Sequence, residues 1–118
     1  MTLKVVVIGA SGIGKYHAAS HAADELSQLV AICDVRKERA DELAAQFDVK
    51  SYATLTELLQ NEEIDVVDVC TGGNENGSWH FEPTIEALEA GKHVLVEKPI
   101  SNDIEEGRRM VARAAELD

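Results

Sequence analysis

Residues 3–17 read LKVVVIGASGIGKYH, and this stretch restricts the fold more than any other. Leu3 to Ile8 is too short for a helix, is rich in β-branched residues, and reads as a strand buried on both faces. It stops at Gly9. Gly12 and Gly14 follow, and then a helical pattern begins that brings Ile13, His17, Ala18 and His21 near one face. A strand, a glycine turn and a helix together aim backbone N–H groups at an anion in front of the helix N-terminus. The dinucleotide fingerprint is G-x-G-x-x-G; here Ser11 stands at the middle glycine and Gly12 comes one place late.

The rest of the chain repeats this alternation. Helices are expected over Lys15–Leu26, Glu38–Phe47, a short segment opened by Thr54 or Thr56, Trp79–Ala90 with Gly91 ending it, and Ile104–Leu117 capped by Ser101 or Asn102. Strands are expected at Leu29–Cys33, Val49–Tyr52, Val66–Cys70 and His93–Val96. Strands that alternate with helices form a parallel sheet covered on both faces. Right-handed crossovers around a central first strand give an α/β, doubly wound sheet of order 3-2-1-4-5, one domain over residues 1–118. Ligands of such sheets bind at the carboxyl ends of the strands, where the order reverses. The segments placed there are Gly9–Gly14, Asp34–Lys37, Thr71–Asn74 and Glu97–Pro99.

Charge narrows the partners. Against 22 acids stand 11 bases, a net charge of −11, which argues against nucleic acid and anionic membrane surfaces. No apolar run is long enough to span a bilayer, and the N-terminus lacks a signal-peptide pattern, so a cytoplasmic address is the expectation. Cys33 and Cys70 end the second and fourth strands with the first between them. That places them roughly 10 Å apart, too far for a disulfide, and they read as buried free thiols. The cysteines and histidines show no metal-ligand spacing, and no metal is expected.

Several residues could carry chemistry. Asp34 ends the second strand about 20 residues after Gly14, where a carboxylate binds the ribose hydroxyls of an adenosine; the alternative is a helix N-cap. A carboxylate there repels a 2′-phosphate and favours NAD, while Arg36 and Lys37 keep NADP open. Thr71-Gly72-Gly73-Asn74 would pass near a nicotinamide ribose, or be only a loop. His80 reads equally as a first-turn residue, a cap or a substrate contact. His17 reads as helix–sheet packing, His21 as surface, and Trp79 as a packing anchor. Glu97-Lys98-Pro99 places two charges at the ligand end of the sheet. Lys98 could donate a proton to a carbonyl or alkoxide oxygen, with Pro99 in cis aiming it; otherwise this is a surface ion pair.

The blocks GASGIGKYHA, AICDVRKERADELAAQF, IDVVDVCTGGN and EALEAGKHVLVEKPIS, in this order, resemble the glucose–fructose oxidoreductase/inositol dehydrogenase/MocA family of NAD(P)-dependent oxidoreductases. The resemblance implies a Rossmann domain with Gly9, Ser11, Gly12, Ile13 and Gly14 on the pyrophosphate loop. It implies Asp34 and Arg36 at the adenosine, and Thr71, Gly72 and Gly73 on a segment the family writes T-P-N. His80 then matches a histidine that begins the next helix, and Glu97, Lys98 and Pro99 match the E-K-P tripeptide whose lysine lies near the reacting carbon. The implied reaction moves a hydride between the nicotinamide and a hydroxyl-bearing carbon of a sugar or cyclitol. The family adds a second domain that holds the substrate, so the 118-residue chain alone is expected to bind cofactor weakly and turn over nothing.

Two other readings stand beside this one. One is a stand-alone NAD(H)-sensing module that acts through a protein partner. The other is an S-adenosylmethionine methyltransferase, which leaves Glu97-Lys98-Pro99 unexplained. The fifth strand would be an open edge, so a homo-oligomer is expected.

Overall fold

The computed structural model describes residues 2–72, 77 and 79–117. Five strands, β1 (Leu3–Ile8), β2 (Ser27–Cys33), β3 (Lys50–Tyr52), β4 (Val66–Val69) and β5 (His93–Val96), alternate with five helices. These are α1 (Ile13–Ala23), α2 (Lys37–Phe47), α3 (Leu55–Asn61), α4 (Phe81–Glu89) and α5 (Ile104–Leu117). All neighbouring strands are parallel, in the order β3-β2-β1-β4-β5. This is the doubly wound sheet expected from the alternation.

Successive residues of β1 serve opposite faces, which is why the run is continuously apolar. Val6 and Ile8 join Val67 and Val69 of β4 against Leu55, Leu58 and Ala87 from α3 and α4. Val7 joins Leu29 and Ile32 of β2 against Ala18 of α1 and Ala40, Leu43 and Ala44 of α2. The helices present alanine to the sheet and therefore pack close to it. One residue breaks the apolar rule: Asp68, in the middle of β4, is fully buried.

Element ends follow local hydrogen bonding. α1 stops at Ala23, short of the expected Leu26, because the Asp24 carboxylate accepts the Leu26 N–H at 2.8 Å and turns the chain into β2. Thr54 caps α3 by accepting from the Glu57 N–H. Asp103, rather than Ser101 or Asn102, caps α5: its carboxylate accepts the N–H groups of Glu105 and Glu106, while Ser101 Oγ accepts the N–H of Asp103. Gly91, at φ +79°, ends α4 as expected. Cys33 and Cys70 are buried free thiols, as their strand positions require. Burial, followed by the neighbouring Asp34, Glu86 and Glu57, pushes the Cys33 thiol up to about 12.

Candidate functional site

The glycine turn divides its work among three residues. A Cβ on Gly9 would lie 2.6 Å from the Cys70 carbonyl oxygen, and one on Gly14 only 1.8 Å from the Gly9 carbonyl oxygen. These two glycines let β1, the end of β4 and α1 meet. Gly12 differs, because a Cβ there would meet nothing within 4 Å. It is the N-cap of α1 at φ 56°, ψ −127°, a conformation that side chains disfavour. Gly12 thus carries the backbone conformation, and Ser11 stands exposed beside it on the ligand side. The start of α1 has no side-chain cap and no acid in its first turn, so its N–H groups and positive dipole end fit a phosphate. Ile13 is exposed rather than on the inner face; Gly14 and Ala18 are the buried residues of α1.

Asp34 locks this turn to the end of β2. One carboxylate oxygen accepts the Ala10 N–H and the other the Arg36 N–H, both at 2.9 Å. It does not cap α2, whose N-cap is Arg36. Gly9, Ser11, Asp34, Arg36, Thr71 and Gly72 line one cavity of about 610 Å³ at the carboxyl ends of β1, β2 and β4. This volume suits a small-molecule site. The cavity also takes in Arg39, which lies one helical turn beyond Arg36 and which the sequence reading overlooked. Trp79 is exposed and lines the cavity, so it is not the packing anchor expected of it.

The other half of the crevice is a scaffold. His80 is buried, with Nε2 2.6 Å from the Thr71 carbonyl oxygen and Nδ1 2.7 Å from that of Pro99. Each ring nitrogen faces a backbone carbonyl oxygen, a neutral ring donating its one N–H to one of them, so the ring is a strut between two loops with both nitrogens turned away from the cavity. That corrects its expected place among the ligand contacts. Gly77, at φ +85°, reinforces the strut: a Cβ there would lie 2.8 Å from Pro99 Cγ. The Lys98–Pro99 peptide bond is cis, as expected. Gly73 lies outside the described residues.

Glu97 and Lys98 part company at the end of β5. Lys98 is exposed. Glu97 turns back to α1, where its Oε2 lies 2.9 Å from His17 Nε2. His17 Nδ1 lies 2.8 Å from Asp68 Oδ2 and 3.2 Å from Cys70 Sγ, and His21 Nε2 lies 2.7 Å from the same Asp68 oxygen. His17 does join helix to sheet, though through its polar atoms, and His21 is half-buried rather than the surface residue that the sequence suggested. The available signal was their spacing of four on one helix, which puts both on one face. Asp68 gave no signal, because it sits inside a run of valines. Burial first, and Asp68 second, hold the Cys70 thiol well above the ordinary range.

Comparison with known proteins agrees with this geometry. Residues 3–118 match a family model described as an oxidoreductase family with an NAD-binding Rossmann fold. The UDP-N-acetylglucosamine 3-dehydrogenase of Acidithiobacillus ferrooxidans is 35% identical over 114 residues, 97% of this chain and 34% of that protein. The myo-inositol 2-dehydrogenase of Thermotoga maritima is 33% identical over 117 residues, 98% of this chain and 34% of that protein. Among solved structures, the WlbA dehydrogenase of Bordetella pertussis, in complex with NADH and UDP-GlcNAcA, superposes with a TM-score of 0.91 at 27% identity. That match covers 99% of this chain and 35% of the other. The chain therefore spans about a third of the length of the relatives it matches. Fold, glycine turn and family model agree: this chain belongs to the glucose–fructose oxidoreductase/inositol dehydrogenase/MocA family and is an NAD-binding Rossmann domain.

Proposed function

We propose that residues 1–118 hold the nicotinamide cofactor of a dehydrogenase that acts on a hydroxyl-bearing carbon of a sugar or cyclitol. The observation that carries this reading is the convergence of Gly9, Ser11 and Asp34 on one cavity in front of the uncapped N-terminus of α1. Ser11, Gly12 and Ile13 would present backbone N–H groups to the pyrophosphate, while Gly9 and Gly14, whose N–H groups donate to the Cys33 and Ser11 carbonyl oxygens, would let the loop come close to it. Asp34 would bind the adenosine ribose with the lone pairs its two backbone bonds leave free, and Arg36 would flank the adenine. Thr71 and Gly72, with Gly73 beyond them, would border the nicotinamide ribose. His80 and Pro99 would set the spacing of that border.

The cofactor, when bound, accepts or supplies the hydride. Lys98 would exchange the proton with the substrate oxygen, and Glu97 would fix the direction in which β5 delivers it. The substrate itself would be held by groups outside these residues. The relatives are named as dehydrogenases, which favours this reading over the stand-alone sensor.

No helix among the described residues is long and apolar enough to cross a membrane. A cytoplasmic setting is consistent with two cysteines left as thiols. The edge position of β5, with Leu95 exposed, supports self-association, which light scattering over a concentration series would reveal. The deciding experiment is calorimetric titration of the folded protein with NAD and with NADP. Binding is expected with both, and more tightly with NAD, because an Asp34 carboxylate on the ribose would repel a 2′-phosphate. Absence of heat with either cofactor overturns the reading.

A further inference from the structure

We propose that His17 Nδ1, His21 Nε2 and Asp68 Oδ2, with Cys70 Sγ as fourth donor, form a site for a divalent cation of the zinc type under the α1 face of the sheet. The three nitrogen and oxygen donors lie within 4.8 Å of one another. Two histidines four apart on one helix converge on a single carboxylate oxygen, at 2.8 and 2.7 Å. Cys70 Sγ closes the group at 3.2 Å from His17 Nδ1 and 3.4 Å from Asp68 Oδ1.

The surroundings point to a cation as well. His17 Nε2 meets the Glu97 carboxylate at 2.9 Å. If Nε2 carries the ring proton, Nδ1 turns its lone pair toward Asp68 and Cys70. A carboxylate on the outer nitrogen is the usual support of a metal-bound histidine. Asp68 is fully buried, and its side-chain contacts among the described residues are His17, His21 and Cys70, with no lysine or arginine. Its charge is therefore met from the imidazole side, by protons or by a metal. The two histidine side chains are about one-fifth exposed, which leaves the ion a path in from solvent.

The donor chemistry chooses the ion. Two imidazoles, a carboxylate and a thiol suit zinc, cobalt and their neighbours, whereas magnesium and calcium prefer oxygen alone. Tetrahedral zinc separates its nitrogen and oxygen ligands by about 3.3 Å. The donors would spread from their present hydrogen-bond lengths by about half an ångström, a movement that two partly exposed imidazoles can make.

Equilibrium dialysis against zinc, with excess magnesium to quench the acidic surface, tests the site. It uses no dinucleotide, so its outcome is independent of the cofactor reading. One zinc per chain is expected. Tenfold or weaker binding is expected in His21→Ala and Asp68→Asn, and unchanged binding in His93→Ala, whose histidine is exposed on β5. Circular dichroism identifies any variant that has unfolded; His21→Ala, at the partly exposed position, is the variant on which the decision rests. Cobalt in place of zinc should give the intense visible bands of a four-coordinate ion and a thiolate charge-transfer band that Cys70→Ser removes. No zinc on folded wild-type protein, full affinity in His21→Ala, or the weak spectrum of a six-coordinate cobalt ion would each overturn the proposal.

Discussion

The two ends of the crevice are built differently. At the end formed by Gly9–Gly14 and Asp34, backbone and side chain close on each other: Asp34 ties the glycine turn to α2, and a cavity of about 610 Å³ results. At the end formed by Thr71, His80 and Glu97–Pro99, the buried groups bond to one another and the charged lysine is exposed. The first end is the surface proposed to bind the cofactor, made by this domain from its own chain. The second is a frame that fixes two loops and leaves Lys98 exposed. Binding and chemistry should therefore separate under mutation.

The largest break is expected at Gly14. A Cβ 1.8 Å from a backbone carbonyl oxygen has no flexible neighbour to displace, so Gly14→Ala should cost about 3 kcal/mol or more and remove NAD binding with it. Thermal or denaturant unfolding checks this. Stability within 1 kcal/mol of wild type, on the scale of an ordinary surface change, would show that the turn is looser than the contact indicates. Gly12→Ala makes the sharper comparison. Its Cβ has room, so only the conformational strain of about 1–3 kcal/mol applies, and it should weaken NAD binding more than it weakens the fold.

Asp34 comes next. Loss of charge-assisted hydrogen bonds to a ribose, with the turn's own two bonds lost as well, should weaken NAD by about a hundredfold in Asp34→Ala, near 3 kcal/mol. Asp34→Asn removes the charge that repels a 2′-phosphate while Arg36 and Arg39 remain at the cavity, so preference should move toward NADP. Calorimetry with both cofactors reads the ratio. An unchanged ratio would mean that Asp34 acts only through Ala10 and Arg36.

The floor of the same cavity has a pH signature. Cys33 lines it, and its thiol is raised from 9.0 to about 12. Between these values the unfolded chain has lost the proton and the folded chain keeps it. Stability falls as pH rises through that window, by at most about 1.4 kcal/mol per pH unit for this one group. Tyr52 adds to the upper part of the limb: its hydroxyl donates to Glu62, and that bond, with burial, raises it from 10.0 to about 12. Cys33→Ala should flatten the alkaline limb of stability by close to one proton. A limb of unchanged slope would place the titrating groups elsewhere.

How much of this was legible in sequence follows the same division. β1, the glycine turn and Asp34 are local in the chain, and period, glycine spacing and a carboxylate after β2 announce them without a fold. β5 and α5 were also readable to the residue, because an apolar run bounded by Gly91 and Pro99 leaves little choice of register. The frame at the other end was not readable. His80 bonds to carbonyls nine and nineteen residues away, and only the crossover through α4 and β5 brings them together. Asp68 was hidden for a related reason: its two histidine partners lie on α1, 51 and 47 residues away, and a lone acid among valines carries no period of its own.

The smallest effect should be at Lys98. The side chain is exposed, and an exposed charge near a ligand contributes less than about 1 kcal/mol because water and salt screen it. Lys98→Ala in the 118-residue chain should therefore bind NAD within about fivefold of wild type, with unchanged stability. This near-null result carries weight because the neighbouring segment is so tightly framed. Pro99 is held by His80 and Gly77 whatever occupies position 98, so removal of the amine tests the amine alone. If affinity fell tenfold, Lys98 would be reaching the cofactor within this domain, and the two ends of the crevice would share the binding. If it does not fall, any loss of turnover from the same substitution in a chain that holds substrate belongs to proton exchange rather than to the hold on the dinucleotide.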